Sequence, residues 1–149
     1  MRNLLNNCNI IRVSAGGAGS ASATPTKGSI IDMQGWEGVM FLAEMGDVLN
    51  TADVDLRVAG ADVNDTGQMA LLVGEAGGVA DATSFDDKVV ALDVFKPRQQ
   101  FLEVQLFHQT ADAPFDSILA IQYRGGEMPT VDYDASLVAY NTLNDPDTE

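Results

Sequence analysis

The chain predicts an all-β domain, an antiparallel β-sandwich or jelly-roll-like barrel of about seven or eight strands with an extended C-terminal tail. Three observations predict it. Apolar residues recur mostly with a period of two, and turn residues interrupt them at short intervals. No segment sustains a 3.6-residue apolar stripe. Successive side chains of a strand point to opposite faces, so a period of two gives one face to a core and the other to solvent.

Taken in order, Cys8–Val13 reads as the first strand, and Ser14–Pro25 as a Gly/Ser/Ala loop with too little apolar surface to fold by itself. Ser29–Met33 resumes as a strand. Gln34–Gly38 then turns the chain into its most apolar run, Val39–Met45, where alternation is lost and cover on both faces is expected. Val54, Leu56 and Val58 alternate with Asp53, Asp55 and Arg57, the pattern of a strand with one wet face. Ala61–Gly67 is a turn, Gln68–Val73 is either a strand or one helical turn, and Gly74–Asp87 is a glycine-rich connection long enough to hide a short strand.

The last third is clearer. Lys88–Phe95 places Val90, Leu92 and Val94 on one face, and Pro97 breaks the strand because it has no amide hydrogen for a ladder. Phe101–His108 places Leu102, Val104 and Leu106 against Phe101, Glu103 and Gln105. Ser117–Arg124 is the final predicted strand. The predicted domain is therefore residues 1–125, and residues 126–149 are the predicted tail, semi-apolar at first and acidic at the end.

The length suits one domain able to bury roughly 70% of its unfolded-state surface. One cysteine, Cys8, cannot make an internal disulfide and reads as a small buried hydrophobe. Eight Lys and Arg against 22 Asp and Glu leave a formal charge of −14. That field repels phosphate backbones and anionic bilayers, so neither nucleic acid nor membrane is an expected partner. Neither a signal peptide nor an apolar run of spanning length is visible, which makes synthesis in a cytoplasm the expectation.

The residues offer little catalytic chemistry, and the sequence reading is of a non-enzyme without a cofactor. His108 is the only histidine, so a zinc site lacks ligands and a hydrolytic triad would rest on this one residue. There is no Gly-x-Ser-x-Gly elbow, and Gly16-Gly17-Ala18-Gly19 lacks the lysine and spacing of a phosphate loop. Asp62–Gly67 opens like a calcium loop, yet its twelfth position is Val73, where a bidentate carboxylate is required.

Two stretches carry a resemblance. Ile31-Asp32-Met33-Gln34-Gly35-Trp36-Glu37-Gly38-Val39-Met40-Phe41 is one, and the other runs from Asp87-Lys88-Val89-Val90-Ala91-Leu92-Asp93-Val94-Phe95-Lys96-Pro97-Arg98 to Ala120-Ile121-Gln122-Tyr123-Arg124. Together they resemble small virion structural proteins encoded beside the head genes of tailed bacteriophages. The resemblance spans most of residues 8–130 and implies a capsid decoration (cement) protein on the capsid exterior. A homo-oligomer binding the major capsid protein is then expected, through apolar and backbone contacts. The resemblance supplies no catalytic residues.

Candidate interface residues are Trp36, Phe41 and Met45 from the apolar strand and its turn, and Tyr133, Leu137 and Tyr140 from the tail. Removing residues 126–149 is expected to leave a folded domain that binds particles less well. Two other functions are compatible with the sequence. One is a head-fibre, neck or tail component. The other is a carbohydrate-binding β-sandwich for host attachment, with Trp36 as its aromatic anchor.

Overall fold

Alternating apolar residues do build strands along most of this chain, as a computed structural model that describes residues 7–80, 84–124, 137–144 and 146–148 shows. The strands are β1 (Cys8–Ser14), β2 (Ser22–Lys27), β3 (Ile31–Asp32), β4 (Gly38–Met45), β5 (Asp53–Ala61) and β6 (Ala70–Leu71). They continue with β7 (Ala76–Val79), β8 (Val89–Phe95), β9 (Phe101–Gln109), β10 (Phe115–Tyr123) and β11 (Leu137–Asn144). One sheet has the order β1-β10-β4-β8-β11, the other β2-β9-β5-β6, with β3 also on β9 and β7 also on β5. The two sheets pack as a β-sandwich, the predicted fold class.

Its core is the set of inward residues from the long strands. Val39, Phe41, Ala43 and Met45 of β4 join Val90, Leu92 and Val94 of β8 and Ile118 and Ala120 of β10. The other sheet contributes Val54, Leu56 and Val58 of β5 and Leu102, Val104 and Leu106 of β9. Each large aliphatic side chain removed from water contributes roughly 1.5–3 kcal/mol.

Three local readings change, and two open ones are settled. The run Val39–Met45 alternates after all: Val39, Phe41, Ala43 and Met45 are buried, Met40 and Leu42 half-buried, and Glu44 exposed. Its apolar outer residues hide a period of two. The Gly/Ser/Ala segment is not simply a loop, because β2 begins within it and backbone bonds pin the rest. Gly17 N donates to Phe115 O (2.9 Å), Phe115 N to Gly17 O (3.1 Å) and Ala113 N to Gly19 O (2.8 Å). Such close approach needs glycine: a Cβ at Gly16 would lie 2.2 Å from the Asp116 carbonyl oxygen, and one at Gly19 1.9 Å from that of Ala113. Gln68–Val73 resolves into the end of a 3-10 turn, Thr66–Gln68, and the short β6, while the glycine-rich connection contains β7.

The third change concerns the C-terminal segment. Residues 137–144 are not a detached tail but β11, paired parallel to β8 from Leu137 opposite Val89 to Asn144 opposite Phe95. Leu143 is part of the core, and the chain then returns to β6 through Val73 N donating to Asp147 O (2.9 Å) and a bridge between Leu72 and Thr148. The sheet is therefore mixed rather than purely antiparallel.

The placement of β11 and of Phe41 can each be tested by unfolding. A chain cut after Arg124 loses β11 and exposes the β8 edge, so it should unfold at lower urea than the full chain or fail to fold. An unshifted urea midpoint would contradict this placement. Phe41→Ala removes a fully buried ring and should cost about 3–5 kcal/mol in the same measurement; a cost of surface size would place Phe41 outside the core.

Candidate functional site

The six predicted interface residues separate on folding. Phe41 and Met45 are 0% and 2% exposed, so neither is available to a partner, and their assignment to an interface is corrected to the core. The reason is register: both share the inward parity of Val39. Trp36 lies in the turn between β3 and β4, partly buried against the core. Leu137 and Tyr140 are positions of β11, with Tyr140 opposite Ala91, and Tyr133 lies outside the described residues.

The turn that carries Trp36 is built by short-range bonds. Asp32 Oδ1 accepts from Gln34 N (2.8 Å) and from Gln100 Nε2 (3.1 Å), tying the turn to the β8–β9 connection. Met33 N donates to Gln100 O (2.8 Å) and Trp36 N to Met33 O (2.9 Å). On the far side, Glu37 N donates to Tyr123 O (3.0 Å) and Lys96 N to Glu37 O (2.7 Å). The Arg124 guanidinium sits 5.2 Å from the centre of the Trp36 ring.

These loops enclose an open cleft of about 460 Å³ at one end of the sandwich. Met33, Trp36 and Pro97 supply its apolar wall. Its charged lining balances, with Lys96 and Arg98 against Glu37 and Asp62, and Gln34, Gln99 and Gln100 add amides. Gln99 Oε1 is buried and accepts no hydrogen bond from the described residues.

A second surface is the outer face of the β1-β10-β4-β8 sheet. Register places Ile10, Ile121 and Met40 side by side in one row, and Arg12, Leu119, Leu42 and Ala91 in the next. Ile10 is 49% exposed, and Met40, Leu42, Leu119 and Ile121 are half-buried. Across this face Tyr123 Oη donates to Asp93 Oδ1 at 2.7 Å, spanning β4 at Gly38. Gly38 leaves the room: a Cβ there would stand 2.3 Å from the Tyr123 ring. Burial raises the Asp93 carboxyl above its ordinary value, with the Tyr123 bond pulling the other way, and burial and Asp93 push Tyr123 up.

Sequence reasoning missed a buried polar group on the outer side of β9. Glu103 and Gln105 stand on a face expected to be wet, yet they are 2% and 6% exposed. Thr66 Oγ1 donates to Glu103 Oε2 (2.5 Å), Gln105 Nε2 to Glu103 Oε1 (2.9 Å), and Lys27 Nζ lies 3.5 Å from Glu103 Oε1. No local pattern links positions 27, 66 and 103, so the sequence carries no signal for it. His108 is buried, with its Nε2 2.9 Å from Thr26 Oγ1. Asp65 Oδ1 caps its own turn by accepting from Gly67 N (2.9 Å). Among the described residues no group of three or more His, Cys, Asp or Glu is placed to hold a metal ion, and no helix is long and apolar enough to cross a membrane.

No family model and no curated protein matches the chain. Among solved structures, a chain in the structure of infectious bursal disease virus Gx strain aligns with 89% of this chain at 10% identity and a TM-score of 0.32. This chain spans 35% of the length of that one. A likeness at that score assigns neither fold family nor function.

Asp93 yields a test with a defined sign. Its raised carboxyl means that the native chain holds this proton more tightly than the unfolded chain. Ionised Asp93 therefore costs stability, a cost absent well below the ordinary value of 3.8 and fully present above the folded value. Asp93→Asn keeps an acceptor for Tyr123 without the charge. It should be more stable than the parent chain at pH 7, with a gap that closes as pH falls towards 3.8. Thermal unfolding across pH checks this; a gap that widens on acidification would reverse the assignment.

Proposed function

We propose that this chain is a non-catalytic structural component of a virion, a capsid decoration protein that binds and stabilises the major capsid protein lattice from outside. The observation that carries the reading is the outer face of β1, β10 and β4. There, Ile10, Ile121, Met40, Leu119 and Leu42 form two adjoining apolar rows in a chain of charge −14. Apolar side chains gathered on one sheet face, with Arg12 and Glu44 at the margin, suit a docking surface. The stretches resembling phage head proteins support the same reading.

Decoration stabilises by mass action: a protein that binds the assembled shell and not its free subunits lowers the free energy of the shell. A homo-oligomer, as expected for a decoration protein, would present several copies of the face at once and gain avidity. The strong negative charge keeps such a protein soluble at high concentration before docking.

Mass spectrometry of purified particles tests the reading. A copy number that tracks the major capsid protein is expected; one matching a neck or tail ring would move the protein there, and absence from particles would refute a virion role. Ile10→Asp changes an exposed position, so stability should stay within about 0.5 kcal/mol. A charge buried at the docking surface should lower particle affinity at least about tenfold. Full affinity would sink the assignment of this face.

A further inference from the structure

We propose that the cleft beside Trp36 is a binding site for a neutral saccharide. Its volume, about 460 Å³, lies within the range of small-molecule sites. The lining chemistry then selects the ligand. Two cations, Lys96 and Arg98, and two carboxylates, Glu37 and Asp62, line it, and Arg98 is already paired with Asp147, so the cleft carries no net positive charge. A phosphate or nucleotide would find no net positive field there, and the −14 charge of the chain would oppose its approach.

What the cleft does offer is a high density of groups that hydrogen-bond neutral hydroxyls. The amides of Gln34, Gln99 and Gln100 both donate and accept, and Asp62 accepts. Vicinal hydroxyls also both donate and accept, and an amide or carboxylate can engage two of them together. A sugar ring further carries apolar C–H faces, for which Met33, Trp36 and Pro97 provide a wall.

Gln99 belongs to the lining, and its stem packs beside Gly60, which fixes where its amide stands. The surrounding backbone is already fixed by the bonds from Met33, Trp36, Glu37 and Lys96, so little ordering is left to be done on binding.

Trp36 is the only tryptophan in the chain, so its emission reports this cleft alone. The full chain is titrated with maltotriose, cellotriose and triacetylchitotriose, with inorganic phosphate and citrate as anionic controls. At least one saccharide is expected to give a saturable emission change with a Kd at or below about 1 mM. Asp62→Asn and Gln99→Ala should each weaken it at least about fivefold, with thermal midpoints near that of the parent chain. Ile10→Asp should leave it unchanged, which separates this site from the docking face. No saturation with any of the three saccharides, saturation with the anions alone, or equal affinity in both cleft variants would overturn the proposal.

Discussion

One hydrogen bond ties three strands together at the cleft end of the sandwich. Tyr123 on β10 reaches over β4 and donates to Asp93 on β8, and it can do so because Gly38 leaves β4 bare beneath the ring. Bonds to a buried carboxylate are among the stronger ones, roughly 1.5–3 kcal/mol. Tyr123 also organises the neighbouring loops through its backbone. Its carbonyl accepts from Glu37 N, Glu37 O accepts from Lys96 N, and the adjacent residue, Arg124, lies over Trp36. The wall of the cleft is thus an extension of a sheet contact.

That arrangement gives physical meaning to stretches of sequence far apart in the chain. Asp32 ties the Trp36 turn to Gln100, Gly38 makes room for Tyr123, and Asp93 accepts the Tyr123 hydrogen bond. Lys96, Pro97 and Arg98 close the cleft from the β8–β9 connection. Residues from about 31 to 38, 93 to 100 and 122 to 124 are distant in the chain and converge at one end of the molecule. They form a single construction there, with strand pairing and loop chemistry joined.

How much of this is legible in the sequence depends on the kind of information each feature uses. Strands announce themselves through local alternation of apolar and polar residues, and β5, β8, β9 and β10 are readable in that way, although Asp93 of β8 and Glu103 and Gln105 of β9 are buried as well. β4 defeats the rule because Met40 and Leu42 are apolar on its outer face, which also makes Phe41 and Met45 look available to a partner. β2 has little apolar content and exists because β9 offers it an edge. β11 is a parallel partner of β8, and parallel pairing leaves no turn signature between neighbours. The Trp36 turn is visible as a turn, but its cleft depends on Asp62 and Gln99, which only the fold brings near. Long-range complementarity decides those cases, as it does for Glu103 with Lys27 and Thr66.

The few cations of the chain show how a protein so acidic keeps internal order. Lys27 serves the buried Glu103, and Arg57 bridges Asp55 and Glu75 while lying 5.1 Å from the centre of the Phe107 ring. Burial and the nearby Glu75 and Asp53 raise the Asp55 carboxyl, and Arg57 offsets part of that. Arg98 pairs with Asp147, holding the C-terminal return beside the cleft. Three of the eight cations are thereby engaged in intramolecular ion pairs, and the acidic surface keeps its excess. A surface of this kind discriminates against polyanions at long range. Two places offer short-range chemistry instead: an apolar sheet face, and a cleft lined with hydrogen-bonding groups. Tyr123 belongs to the first through its ring and to the second through its carbonyl partner Glu37. The two surfaces meet at this residue, and the cleft is completed by Asp62, Gln99 and Gln100 beside strands β5 and β9 of the other sheet.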